Sequence, residues 1–115
     1  MTTGYPQRGE VWLASLDPTL GHEQAGTRPG IIVSVDAFNR GGRLIVYIPM
    51  TTRQRDLPLH VRIEPPEGGV RSTSYVLVEN IRAISPKRLV EKWGEVAPHT
   101  MHQIEDRLKT VLGLY

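Results

Sequence analysis

The chain has 115 residues, 14 basic and 12 acidic side chains, a formal net charge of +2 and no cysteine. That length fits one compact domain, read here as 1–115, with enough buried apolar surface to fold without metal or disulfide. The lack of cysteine excludes a disulfide framework and a thiolate metal site. The longest apolar runs, "IIVSV" and "LIVYIPM", are too short to span a bilayer, and "MTTGYPQRGE" carries no apolar signal core, so a cytoplasmic protein is expected.

In chain order, "GEVWLASL" reads as a strand from Gly9, stopped by "DPT" because proline lacks the ladder donor. The stretch "GHEQAGTRPG", residues 21–30, is a polar connection. "GIIVSVD" follows as a continuous β-branched run of the kind covered on both faces. "FNRGGR" reads as a hairpin turn and "RLIVYIPMTT" as the next strand. After the polar link "RQRDLPL", "HVRIE" alternates as a short strand and "PPEGG" turns. "STSYVLVENIRAIS" reads as one long alternating strand, with a short segment near "RLVEKWG" after it.

Only the tail is helical by pattern. Met101, Ile104, Leu108, Val111 and Leu112 recur at helical spacing. Pro98 suits the first turn, Thr100 with Gln103 suggests a capping box, and Gly113 suits the C-terminal cap. There is no internal repeat or linker. Five or six closely spaced strands predict a mostly β domain, a small, strongly curved antiparallel sheet or barrel with one helix packed on it.

Familiar catalytic signatures are missing. The sequence has no phosphate-binding glycine loop ending in Lys-Ser or Lys-Thr, no HExxH, no paired aspartates at metal spacing and no nucleophile elbow. His99 and His102 share a helix face, but nothing near them in sequence completes a ligand set, so no metal and no cofactor are expected. Arginine strongly outnumbers lysine, and its planar fork suits phosphate, although composition alone favours ordinary surface charge.

Two stretches remain. In "GHEQAGTRPG", Pro29 pushes Arg28 toward extended backbone at the mouth of the next strand. Glu23 lies in the same loop, and on the residues alone an ion pair that pins the loop is the simpler reading. In "PMTTRQR", Thr51 and Thr52 end an apolar strand, and their hydroxyls can donate to an oxyanion, though threonine is also simply common in strands. Arg53, Gln54 and Arg55 follow at once, and basic side chains beside a strand end suit a groove that tracks phosphates.

These residues match a family. "RGEVWLASLDPTLGHEQAGTRPGIIVS", "IPMTTR" and "VLVENIRAIS" resemble, in order, the signatures of the MazF/PemK toxins of toxin–antitoxin modules, and the terminal helix fits as well. The resemblance spans essentially the whole chain, and its long loop signature is the specific part. It implies an SH3-like antiparallel barrel of the CcdB/MazF type and a homodimeric cytoplasmic endoribonuclease. It further implies metal-free cutting of single-stranded RNA at short sequences, leaving a 2′,3′-cyclic phosphate and a 5′-hydroxyl. A cognate, MazE-like antitoxin segment would fold into the RNA groove and silence it.

By the same resemblance the catalytic arginine falls on Arg28, the catalytic threonine on Thr51 and the loop glutamate on Glu23. The position before that glutamate, often serine in the family, is His22 here. RNA contacts are expected from His22, Gln24, Thr52, Arg53, Gln54 and Arg55, with Gly21 and Gly26 letting the loop move. Trp12, Phe38, Tyr47, Tyr75 and Trp93 are the aromatic inventory for base stacking.

Arginine is a poor general base because its pKa lies above ~12, so Arg28 is assigned to charge stabilisation. Glu23 or His22 is the chemically easier base. A reading from another class stays open: a non-catalytic toxin on the same barrel that grips RNA or poisons a protein target, as the CcdB-type gyrase inhibitors do.

Overall fold

The computed structural model describes residues 4–16, 26–54 and 57–115. Among the described residues seven strands run in chain order: β1 (Glu10–Leu16), β2 (Gly26–Ile32), β3 (Ile45–Thr51), β4 (Val61–Ile63), β5 (Ser74–Val76), β6 (Arg82–Ile84) and β7 (Leu89–Glu95). A one-turn helix, α1 (Asp36–Asn39), joins β2 to β3, and the chain ends in α2 (Pro98–Leu112). The strands form one antiparallel sheet in the order β4-β5-β3-β2-β1-β7, with β6 also on β3.

Alternation sorts the side chains of this sheet into two cores, as the period of two requires. Val11, Ile31, Ile48 and Met50 join Met101 and Ile104 of α2 on one face. Ala14, Leu16, Ile32, Ile45 and Tyr47 gather with Ile84 on the other. The continuous apolar run "IIV" is thus covered on both sides, as its composition predicts.

The sheet path is not closed: among the described residues β4 and β7 are its two edges. The turn of 3-10 helix at Glu67–Gly69 lies against β7. The approach there is backbone on backbone. A Cβ on Gly69 would stand 2.2 Å from the Trp93 carbonyl oxygen, and Gly69 has φ 75°, a region few side-chain-bearing residues adopt. The "PPEGG" turn therefore reads correctly from sequence, and its glycines serve contact as well as turning.

Three local expectations need correction. First, β2 begins at Gly26 rather than Gly30, because β1 is long enough to pair back to Leu16↔Gly26; Arg28 lies inside the strand, opposite Ala14. Second, "FNRGGR" is not a plain hairpin turn. Phe38 and Asn39 belong to α1, and buried Asn39 donates from Nδ2 to the Ser34 carbonyl (3.0 Å). Third, "STSYVLVENIRAIS" follows one edge of β3 but is broken by a 3-10 turn at Val78–Asn80. Met50 faces Val76; an unbroken ladder would then set Tyr47 opposite Glu79, yet it faces Arg82. The turn absorbs the extra residues and is tied to β3 by Leu77 N–H donating to the Pro49 carbonyl (2.9 Å).

Helix α2 starts after Ala97, with Pro98 in its first turn, and Gly113 closes it in the left-handed region at φ 69°. The expected capping box is absent. Ala97 has no side-chain acceptor, and the Glu67 carboxylate takes its place from a distant turn. It accepts from Ala97 N–H (2.9 Å) and from the buried Thr100 hydroxyl (2.5 Å). Met101 and Ile104 are buried, whereas Val111 and Leu112, expected on the same stripe, are exposed. No helix among the described residues is long and apolar enough to cross a membrane.

Candidate active site

The site grows from a fork in the sheet. β2 and β3 pair through Ile32↔Tyr47, Ile31↔Ile48 and Gly30↔Pro49, and the pairing stops there. Pro49 has no N–H to give. Beyond it β3 turns to β5, so that Thr51 faces Tyr75. Continuing the broken β2–β3 register by two residues sets Arg28 opposite Thr51 on a common face. The two strands part just where these side chains stand.

The opening is a cleft of ≈ 240 Å³ lined by Thr27, Arg28, Pro29, Met50, Thr51, Thr52 and Ser74. Arg28 is half-buried and has no carboxylate partner among the described residues. A guanidinium held this way has its donors available to an incoming anion. The Thr51 hydroxyl oxygen accepts from Arg53 N–H (3.1 Å), which orients it and leaves its own proton to donate into the cleft. Ser74 is buried and its hydroxyl donates to the Ser72 carbonyl (2.9 Å).

Of the residues singled out in the sequence, Arg28, Thr51 and Thr52 come together at the cleft. Arg53 and Gln54 are exposed just beyond it and do not line it. Glu23, His22, Gln24, Gly21 and Arg55 lie outside the described residues, so the loop ion pair and the loop's freedom to move have no structural description here. His99 and His102 are exposed on α2. Among the described residues no group of three or more His, Asp or Glu side chains is gathered as a metal site would require.

Sequence reasoning missed Thr27 and Ser74. For Ser74 a signal existed: alternation in "STSYV" puts it on the buried side with Val76, where a hydroxyl is out of place. The aromatic inventory also changes. Tyr47 is fully buried and offers no stacking face. The Trp12 indole donates to Glu10 (2.8 Å), and Trp93 donates to Glu91 (3.1 Å) under the Arg71 guanidinium. Tyr75, half-buried and opposite Thr51, is the aromatic placed beside the cleft.

One further group bears on Arg28. The Tyr47 hydroxyl donates to the Arg28 carbonyl (2.7 Å) and lies 3.3 Å from that of Trp12. Burial pushes its phenol well above the ordinary range, with the Arg82 charge pulling weakly the other way.

Comparison with known proteins gives this geometry a context. Residues 7–112 match the family described as PemK-like, MazF-like toxin of type II toxin–antitoxin system. Endoribonuclease PemK of Escherichia coli is 43% identical over 110 residues, covering 92% of this chain and 81% of that protein. A mycobacterial endoribonuclease solved in complex with its cognate antitoxin is 35% identical at a TM-score of 0.78, covering 96% of this chain and 97% of its own. MazF of Deinococcus radiodurans superposes at a TM-score of 0.83 with 27% identity, over 95% of this chain and 97% of its own. The fork between β2 and β3, with an arginine on one side and a threonine on the other, sits in a chain that belongs to the PemK-like, MazF-like toxins of type II toxin–antitoxin systems.

Proposed function

We infer that this toxin, an endoribonuclease by kinship, cuts single-stranded RNA at the Arg28–Thr51 cleft without a metal. The single observation that carries the reading is the cleft itself: an arginine without a carboxylate partner among the described residues, and an oriented threonine hydroxyl on the opposite lip. The products are a 2′,3′-cyclic phosphate and a 5′-hydroxyl.

The chemistry is an in-line transfer. The 2′-oxygen bonds to phosphorus as the bond to the 5′-oxygen breaks. The 2′-hydroxyl loses its proton to a base, and the departing 5′-oxygen gains one. Negative charge builds on the non-bridging oxygens in between. Arg28 is the charged donor for those oxygens, and Thr51 supplies a neutral one. Glu23 or His22 takes the 2′ proton, since either is a far better base than a guanidinium. Thr52, Arg53, Gln54 and Arg55, together with His22 and Gln24, contact the flanking nucleotides.

In this reading the partners are single-stranded cytoplasmic RNA, a second copy of the chain as homodimer, and a cognate antitoxin segment that covers the cleft. A complex with a cognate antitoxin is known for the mycobacterial relative.

The test incubates the protein with a long single-stranded RNA in EDTA and maps the ends. Cutting at discrete sites, with cyclic-phosphate ends, is expected. Arg28→Ala should lose about 10²–10³ in rate with RNA affinity nearly kept, the cost of removing one preorganised donor to a developing oxyanion. Intact RNA would overturn the nuclease reading in favour of a binding toxin, and a near-normal Arg28→Ala rate would remove Arg28 from catalysis.

A further inference from the structure

We propose that Tyr47 is a positioning residue for Arg28: its buried phenol, seated in the space left by Gly30, holds the backbone from which the arginine reaches into the cleft. This rests on the catalytic role proposed for Arg28 above.

The arrangement has two parts. Gly30 and Tyr47 are diagonal neighbours across the last paired positions of β2 and β3, where Gly30 faces Pro49 and Ile32 faces Tyr47. A Cβ on Gly30 would lie 2.3 Å from Cζ of the Tyr47 ring and 2.6 Å from Cε1. No side chain fits there with the ring in place. Glycine within a strand is unfavourable unless something needs the room, and here the ring does.

The second part is the hydroxyl. Its one proton goes to the Arg28 carbonyl at 2.7 Å, with the Trp12 carbonyl a longer second contact at 3.3 Å. Between Arg28 and Gly30 stands Pro29, which faces Leu13 and has no N–H for the ladder. That missing N–H belongs to the same peptide unit as the Arg28 carbonyl and points the opposite way. The phenol holds this peptide by its carbonyl from inside the second core, anchored among Ala14, Ile32 and Ile45. Tyr47 is fully buried and cannot touch RNA, so any effect on cleavage must pass through the backbone it holds. Displacements of about 1 Å in a catalytic group cost on the order of 10²-fold in rate.

The experiment compares wild type, Tyr47→Phe, Gly30→Ala, Arg28→Ala and the double variant Arg28→Ala/Tyr47→Phe. Single-turnover RNA cleavage, KM and thermal unfolding are measured for each. Tyr47→Phe keeps the ring and removes only the donor. Its expected signature is a cooperative melt, unchanged KM and a rate lowered about 10- to 100-fold. Gly30→Ala, whose Cβ would meet both the ring and the Ile48 carbonyl oxygen at 2.6 Å, should lower the rate at least as far and lower Tm as well. In the Arg28→Ala background, Tyr47→Phe should change the rate less than twofold, because the group it positions is gone; a merely structural role would lower both backgrounds alike.

A folded Tyr47→Phe chain cutting within twofold of wild type overturns the inference. So does a full, additive loss in the Arg28→Ala background. A Tyr47→Phe chain without a cooperative melt makes the phenol a requirement of the fold, not of the site, and overturns it too. Arg28→Ala separates the two readings: a near-wild-type rate defeats the catalytic role of Arg28 itself, whereas an inactive Arg28→Ala beside a fully active Tyr47→Phe defeats only the positioning role.

Discussion

Removing the Glu67 carboxylate should unseat the terminal helix from a position 30 residues before Ala97. In the structure one carboxylate oxygen accepts from Ala97 N–H at 2.9 Å and from the Thr100 hydroxyl at 2.5 Å. Loss of the acceptor for the Ala97 N–H at the helix start costs about 1 kcal/mol. Thr100 is buried, so stranding its hydroxyl adds about 1–2 kcal/mol. A negative charge at the helix start contributes a few tenths more. Glu67→Ala is therefore expected to cost about 2–3 kcal/mol, or roughly 10 °C in Tm for a domain of this size. Glu67→Gln keeps an acceptor and should lose less than half of that. Urea unfolding at fixed protein concentration measures the difference, with Gln103→Ala as the contrast, expected within ±0.5 kcal/mol because Gln103 is exposed and caps nothing in this structure. A Glu67→Ala loss below about 0.5 kcal/mol, or a larger loss at Gln103, would refute the cap.

Thr51→Ala should slow RNA cutting by about 10²-fold while leaving Tm within a few degrees, since it removes one donor to the transferring phosphate at a half-buried position. Thr51→Ser keeps the hydroxyl and should recover most of the rate; a Thr51→Ala rate equal to wild type would dismiss the hydroxyl. The buried Tyr47 phenol adds a pH dependence. Its folded pKa is raised above the ordinary value of about 10 by burial. The stability it contributes is thus fully present below pH ~10 and is lost as pH rises through the folded value. Urea midpoints from pH 8 to 11 should fall more steeply above pH 10 for wild type than for Tyr47→Phe, and parallel curves would show that the phenol ionises freely in the folded chain.

Much of the fold is legible in the residues alone. The apolar run "LIVYIPM", two-sided apolarity in "IIV" and helical spacing with Pro98 and Gly113 around the tail are local patterns, and each reappears as β3, β2 or α2. The loop motif and "IPMTTR" carry the family, and by resemblance they single out Arg28 and Thr51. Local pattern also brought false detail. The capping box at Thr100 and Gln103 fits the spacing, but the acceptor that wins comes from Glu67, which no helix motif can foresee. The break at Val78–Asn80 is invisible because the run stays β-rich, and only the demand of pairing one edge of β3 twice bends it.

The fork belongs to tertiary pairing. Nothing local in "GTRPGII" or "YIPMTT" says that pairing ends at Gly30↔Pro49, or that β3 then leaves for β5. That departure turns two strand residues into opposite lips of a cleft. The same holds for Tyr47 and Gly30, separated in sequence and meaningful only in contact: a missing side chain on one strand gives the other strand's ring its seat, and the ring's hydroxyl reaches the Arg28 carbonyl. Sequence records each residue's preferences; hydrogen-bond donors supplied across strands, and the space one residue leaves for another, exist only once the chain has closed on itself.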